Sequence, residues 1–415
     1  MRLKINMNNL YRENLRNLNR TIKNAKKSPL YSKKLKNFSQ LKSIKEISKL
    51  PFTTKQELRD YYPFGGLAVP FNKVIEVHTS SGTTGKTTLS FFTKKDLEIG
   101  SKTISTAWKN FGINNESRVQ FIMSYGLFSG AALNTYAIQE LGGFVLPSGI
   151  QPAFKQVELM MDFQIDTIVT TPSYFLYLYD YLENNNIPLN KFKLKRGIAA
   201  GEIYSEKTRG IIESKFNIKI YDHYGLCEVN TGIAYECNHR TGLHLLDDYV
   251  IAEVINPDTG DILPSEQFGE LVLTSLKKEA SPVIRYRTGD ITRIRSGDCP
   301  CANKSIRIER IKRRIDDLIF IKGIKIDPYE LKEFILDIGK GKIFSDIKIL
   351  VKHNMVNYTP KILLSLKNLE DKETINSMTK QIKEKTLLNF DIEHVDAGYF
   401  SRESKNKVKF VEYVD

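Results

Sequence analysis

The chain has 415 residues, 41% of them hydrophobic and 27% charged, with a formal net charge of +14. That length holds one large core and a smaller satellite domain, and the composition is that of an ordinary soluble globular protein rather than a disordered or fibrous one. No apolar run reaches the roughly 18 residues of a membrane span, no secretory h-region follows Met1, and four cysteines make no disulfide framework, so a reducing, cytoplasmic setting is expected.

The positive charge is spread along the chain among asparagines and isoleucines, in clusters no longer than Lys26-Lys27, Lys33-Lys34 and Lys312-Arg313-Arg314. No nucleic-acid motif accompanies it. A field that draws in polyanionic small ligands fits better than a nucleic-acid partner.

Residues 1 to about 60 read as short helices. Tyr11, Leu15, Leu18 and Ile22 recur on one helical face, and Thr53 or Thr54 can cap a helix with Gln56 or Glu57 reaching back. Next comes Thr79-Ser80-Ser81-Gly82-Thr83-Thr84-Gly85-Lys86, set between the β-leaning runs Val74–Val77 and Leu89–Phe92. Glycines let the backbone turn sharply and approach a ligand, and hydroxyls and N–H groups can then point at phosphate oxygens. The Walker and GxGxxG patterns are both absent. As eight residues alone, the stretch also reads as a surface turn.

From there to about residue 250 strands and helices alternate. Strands are expected at 118–123, 144–147, 167–172, 196–201 and 219–222, with a helix from Ser129 to Leu141 stopped by Gly142-Gly143. This pattern argues a layered α/β domain with mostly parallel strands and a ligand site at their C-terminal ends. Residues 250 to about 310 change to short strands and turn signals such as Asn256-Pro257-Asp258-Thr259-Gly260, a β-rich subdomain. Beyond Arg314-Ile315-Asp316-Asp317 the remaining residues suffice for a small α/β lid, with Asp327-Pro328 opening a helix. The expected domains are therefore a helical segment 1–70, a large domain 71–314 and a mobile C-terminal lid 315–415.

A nucleotide site needs an aromatic face for the base, a carboxylate for the ribose hydroxyls and an acid for Mg²⁺. Tyr224, Asp290 and Glu228 are of the right types, in Tyr221-Asp222-His223-Tyr224-Gly225-Leu226-Cys227-Glu228 and Tyr286-Arg287-Thr288-Gly289-Asp290. Taken singly, Tyr224 reads more readily as a core aromatic than as a base platform. Cys237, His244, Cys299 and Cys301 offer three thiolates and an imidazole, a set that suits tetrahedral structural Zn²⁺. The competing reading is unliganded thiols with His239 and His244 at the surface. Cys227 has no partner at ligand spacing except His223 and is left out.

With the phosphate-loop candidate, these segments resemble the phenylacetate–CoA ligase branch of the adenylate-forming superfamily. The resemblance covers essentially the whole chain and rests on Val77–Lys86, Tyr125-Gly126-Leu127-Phe128, Tyr224-Gly225-Leu226-Cys227-Glu228, Arg285-Tyr286-Arg287-Thr288-Gly289-Asp290 and Arg314-Ile315-Asp316-Asp317. It implies a two-step reaction. A carboxylate attacks the α-phosphate of ATP to give an acyl-adenylate and pyrophosphate, and a thiol then displaces AMP. Carried over by position, Ser80, Ser81, Gly82, Thr83, Thr84, Gly85 and Lys86 would hold the phosphates and Glu228 would bind Mg²⁺. Gly201, Glu202, Asp222 and Tyr224 would frame the adenine. Asp290, with Arg314 beside it, would take the ribose, and Asp316 would be the lid's hinge.

The family's adenylation lysine lies in a Glu-Gly-Lys setting. Its counterpart here is Arg402-Glu403-Ser404-Lys405-Asn406-Lys407, where Lys405 aligns best and Lys407 is two positions away. Tyr125, Gly126, Phe128, Tyr136 and Gly225 would wall an aromatic-acid pocket, although Phe128 and Tyr136 also suit core packing. Some relatives carry a similar Cys/His set. The departures are Cys227 in place of Ser or Thr, Thr87 where Pro follows the loop, Arg313 where Gly is usual, and Ile150-Gln151-Pro152 in place of small residues, which points to a smaller or more polar acid. Coenzyme A is the expected acceptor, with a carrier-protein pantetheine arm as the alternative, and a homodimer stays open.

Overall fold

The computed structural model describes residues 2–80, 86–127, 129–321, 324–339, 342–352, 359–366, 372–396, 399 and 410–414. In chain order, helices α1 (Arg2–Ala25), α2 (Pro29–Lys34) and α3 (Lys55–Asp60) precede a hairpin of β1 (Val74–Thr79) and β2 (Leu89–Thr93). The alternation follows: α4 (Lys94–Asn110), β3 (Arg118–Phe121), α5 (Ser129–Gln139), β4 (Phe144–Leu146), α6 (Ala153–Asp162), β5 (Thr167–Thr170), α7 (Pro172–Asn184), β6 (Arg196–Ala200), α8 (Glu206–Phe216) and β7 (Lys219–Leu226). Then come β8 (Asn230–Glu236), β9 (Leu243–Leu245), β10 (Val250–Ile255), β11 (Gly269–Ser275), β12 (Tyr286–Thr292), β13 (Ile294–Arg295) and β14 (Arg307–Ile308). The last part holds β15 (Arg313–Arg314), β16 (Ile319–Ile321), β17 (Ile324–Ile326), α9 (Pro328–Ile338), β18 (Ile343–Val351), β19 (Lys361–Leu366), α10 (Lys372–Thr386), β20 (Asp391–His394) and β21 (Val411–Tyr413).

These elements form two compact units: Met1–Thr170, Asn190–Gly201 and Ile218–Lys312 in one, and Thr171–Leu189, Glu202–Asn217 and Arg313–Asp415 in the other. The helices α7 and α8, inside the 71–314 stretch, thus group with the C-terminal residues.

The first unit is built on a nine-stranded sheet ordered β13-β14-β9-β8-β7-β6-β5-β3-β4. Its half from β4 to β7 is parallel, as the alternation predicts, and β7-β8-β9-β14-β13 is antiparallel. Beside it β10, β11 and β12 form an antiparallel sheet, the expected β-rich part. One core joins both, centred on Trp108, Phe121, Val169, Ile198, Tyr221, Leu271 and Tyr286. Trp108 is fully buried and donates its indole N–H to Asn134 Oδ1 at 2.8 Å, which satisfies the ring's polar atom.

A second cluster anchors the N-terminal helices: Leu18, Ile22, Leu30, Tyr31 and Leu50 pack with Leu276 and Ile284. Tyr11 lies outside that face, 42% exposed, with its hydroxyl 2.8 Å from Ser43 Oγ. Helix α3 starts at a capping box between Thr54 and Glu57. Thr53 is instead buried and donates to Ile284 O at 2.7 Å.

The second unit packs α9 and α10 with β16–β21 around Ile319, Leu331, Ile335, Ile349, Ile362, Leu364 and Ile382. Asp327 caps α9 through Tyr329 N and Glu330 N, and Pro328 occupies the first helical position, where a missing N–H costs nothing. No helix among the described residues is long and apolar enough to cross a membrane.

Candidate functional site

The β1–β2 hairpin is antiparallel, with Thr79 opposite Leu89. Ser81, Gly82, Thr83, Thr84 and Gly85 lie outside the described residues. Ser80 N donates to Thr88 O at 3.2 Å, which extends the ladder by one step. Thr88 Oγ1 sits 2.7 Å from Ser80 Oγ and 2.8 Å from Glu228 Oε1. Glu228 is only 5% exposed, so the Thr88 hydroxyl links Ser80 to a buried carboxylate. Lys86 is exposed, its ammonium 5.7 Å from the centre of the Tyr62 ring. Behind Glu228, Lys278 is fully buried, and burial pulls its ammonium down to about 8, so it stays largely charged at neutral pH.

Glu228 follows the long strand β7, which carries Asp222, Tyr224 and Gly225. Ala199 pairs with Asp222 and Ala200 with His223, so Gly201, at φ +83° just past β6, lies at the same end of the sheet. The β7–β8 register breaks between Tyr224 and Leu226. At Gly225 a Cβ would come within 2.1 Å of Gly232 N; only glycine fits where the two backbones touch. Tyr224 OH donates to Asp290 Oδ2 at 2.6 Å, and Asp290 is 4% exposed. Asp222 is paired with Arg310 at 2.7 Å. The structure thus joins Tyr224 to Asp290 and Asp222 to Arg310. The other nucleotide candidates belong to the second unit, where Glu202 accepts from Ser173 N and Ser173 Oγ at 3.1 and 2.8 Å. In that unit Arg314 grips Asp316 with two bonds of 2.8 and 3.2 Å.

In the expected acid pocket, Tyr125 OH lies 2.7 Å from Thr135 Oγ1, and burial pushes its phenol up. Gly126 has φ +99°, a conformation glycine adopts without strain. Leu127 O accepts from Thr79 N at 2.7 Å, which ties this loop to the hairpin. Tyr136 is exposed and donates to Glu76 Oε2 at 3.3 Å. Phe128, Lys405 and Lys407 lie outside the described residues.

The four Cys/His candidates converge. Cys237 directly follows β8, His244 is central in β9, and Cys299 and Cys301 lie between β13 and β14. Their donor atoms all fall within 4.8 Å of one another. Cys237 Sγ is 3.5 Å from Cys299 Sγ and Cys301 Sγ is 3.3 Å from His244 Nε2, near the S···S edge of about 3.8 Å in a tetrahedron with Zn–S bonds of about 2.3 Å. Burial and the Arg307 guanidinium pull His244 down to about 4, which keeps it neutral, and Ser305 Oγ lies 3.1 Å from its Nδ1. Arg307 also bonds Thr241, Ser296 O and Gly297 O, bracing the loop that brings in Cys299. The donor set fits a structural zinc. His239 is exposed and outside it. Cys227 stays apart, pushed up to about 12 by burial and then by Glu228.

Thr88, Lys278 and Arg310 were not among the residues expected from the sequence. Thr88 adjoins the loop, so its hydroxyl was a readable signal. Lys278 and Arg310 meet partners 188 and 88 positions away, and nothing local marks them.

No protein-family model matches the chain. The phenylacetate–coenzyme A ligase of Pseudomonas putida is 36% identical over 350 residues, covering 83% of this chain and 79% of that protein. The enzyme of the same name from Aromatoleum evansii is 40% identical over 297 residues, covering 71% and 67%. Among solved structures, a 2-hydroxyisobutyryl-CoA ligase in the postadenylation state superposes with a TM-score of 0.87 at 20% identity, over 97% of this chain and 89% of that one; at that identity the likeness is one of fold. Identity of this extent across most of both proteins settles the family: the chain belongs to the phenylacetate–coenzyme A ligases.

Proposed function

We propose that the protein is an ATP-dependent, AMP-forming acid–thiol ligase whose substrate is a small aromatic carboxylic acid and whose acceptor is coenzyme A. In the first step a carboxylate oxygen bonds to the α-phosphorus of ATP, the bond to the bridging oxygen breaks, and pyrophosphate leaves. In the second, the thiol sulfur bonds to the acyl carbon and AMP departs. The observation that carries this reading is the meeting of Ser80, Thr88 and buried Glu228 at the base of the loop. Hydroxyl donors, and a carboxylate able to hold Mg²⁺, fixed there before the ligand arrives suit a transferring phosphoryl group, whose charge donors and cations stabilise.

The nucleotide roles follow from the pairs already described. Asp290, oriented by Tyr224, receives the ribose hydroxyls. Asp222 and Gly201, at one end of the sheet, border the base, with Glu202 and Arg314 assigned to the same nucleotide. Ser81 to Lys86 hold the β- and γ-phosphates. Tyr125, Gly126, Phe128, Tyr136 and Gly225 wall the acid. Lys405 bridges carboxylate and α-phosphate, and the 315–415 segment turns about Asp316 between the two steps.

Glu228, with the Ser80 and Thr88 hydroxyls close by, is a hard oxygen set of the kind Mg²⁺ takes; the ion, when bound, neutralises phosphate charge. Cys237, His244, Cys299 and Cys301 hold structural Zn²⁺.

The test is ATP–pyrophosphate exchange with the purified protein and a panel of acids: phenylacetate, benzoate, hydroxylated analogues, short aliphatic acids and amino acids. Exchange with one or more aryl acids is expected, then thioester formation with coenzyme A. Exchange confined to aliphatic acids would refute the aryl assignment. Transfer to a carrier-protein pantetheine arm and not to coenzyme A would refute the acceptor.

A further inference from the structure

Buried ammonium groups are uncommon because desolvation disfavours them, and that of Lys278 is 2% exposed. It donates to Ser90 Oγ and, at 3.4 Å, to the backbone carbonyl of Glu228, and it lies 4.2 Å from the centre of the Phe92 ring. The segment carrying it is fixed by Asp96, whose carboxylate accepts from Glu279 N at 2.6 Å and from Ala280 N at 3.0 Å. Thr93 Oγ1 adds a bond of 2.9 Å to Glu279 Oε1.

Two side chains spaced by two on an extended backbone point to one side. Thr88 and Ser90 are such a pair. Thr88 holds the Glu228 carboxylate at 2.8 Å, and Ser90 holds the lysine that grips the main chain of the same residue. Glu228 is therefore attached to the strand leaving the phosphate loop at two points, through its side chain and through its backbone. One attachment would leave the carboxylate free to swing about the other.

We infer that Lys278 is a positioning residue for the metal–phosphate site: by clamping the Glu228 backbone to Ser90 it sets the carboxylate at a fixed distance from the loop hydroxyls, where Mg²⁺-bound ATP phosphates are received. This inference rests on the adenylation reading above. The lysine itself touches no substrate in this role.

The test is calorimetric titration of the full chain with ATP, with and without Mg²⁺, for wild type, Lys278→Met and Ser90→Ala. Methionine keeps the length and the contact with Phe92 but drops the clamp. If Lys278 positions Glu228, Lys278→Met weakens Mg²⁺-ATP binding by about tenfold or more while metal-free ATP changes by less than about twofold, since misplacement of a binding group costs on that scale. Ser90→Ala shifts the same ratio in the same direction by a smaller factor. Equal weakening with and without Mg²⁺, or no weakening, overturns the inference. Should Lys278→Met fail to fold, an unchanged Mg²⁺ dependence in Ser90→Ala overturns it as well. The titration needs no acid substrate, so a wild type that binds Mg²⁺-ATP but exchanges pyrophosphate with no acid defeats the ligase reading and not this one. As a second readout, the Lys278→Met defect falls on pyrophosphate exchange and spares thioester formation from pre-made acyl-adenylate; a merely structural role depresses both alike.

Discussion

His223 is fully enclosed, with ring centroids 5.6 Å from Trp108 and 5.8 Å from Phe111, and burial lowers it from 6.5 to about 4. Its folded form is neutral, whereas the unfolded chain takes up a proton below about 6.5. Stability from this residue is therefore complete above the unfolded value and is lost as pH falls from about 6.5 to about 4. The loss amounts to about 3 kcal/mol at one unit per 1.4 kcal/mol. Urea denaturation across that range checks this. His223→Leu should flatten the acid slope by most of that amount, and an unchanged slope would refute it. The same residue holds its place by shape: a Cβ on Gly232 would stand 2.5 Å from His223 Nε2, so glycine in β8 is what leaves room for the imidazole carried by β7.

At the scale of elements, the Cys/His cluster connects strand ends that little else holds. β9 has three residues and β13 and β14 two each, too short for their ladders alone to fix the loop between Arg295 and Arg307. A bound zinc would close that loop onto β8 and β9, and its binding free energy would become folding free energy. The purified protein should contain about one zinc per chain, as measured by plasma mass spectrometry; less than about a tenth of an equivalent ends the assignment. Cys299→Ser should lose the metal and melt at lower temperature, whereas Cys227→Ser should keep it. The cluster of these four residues was readable because thiol and imidazole carry their chemistry in any context. The Thr54–Glu57 cap was readable because its partners are three residues apart. By contrast, the antiparallel half of the large sheet was not, because β9 finds β14 some sixty residues later and neither is long enough to show a period. Tyr11 matched the helical spacing of Leu18 and Ile22, yet it lies one turn beyond where the core ends. Periodicity names a face; it does not say how far along the helix the partner reaches.

For the whole molecule, the parallel half of the sheet was legible from alternation, and the family from motifs. The clamps that hold the site were not, since Lys278–Ser90 and Arg310–Asp222 span 188 and 88 positions and exist only once the chain has folded. The reaction also divides at this scale. Lys405 is assigned to the first half only, so Lys405→Ala should abolish pyrophosphate exchange while thioester formation from supplied acyl-adenylate continues; equal loss of both would remove Lys405 from its role, and Lys407→Ala serves as the paired comparison. A last consequence follows from the 2.6 Å bond between Tyr224 and Asp290. A buried carboxylate stripped of every partner is costly, and a site built on one would cling to AMP simply to keep the charge solvated. The tyrosine hydroxyl stays with the carboxylate after the nucleotide has gone. Under the proposed role of Asp290 in holding the ribose, departure of AMP would leave its carboxylate still paired, and release of that product would strand no charge.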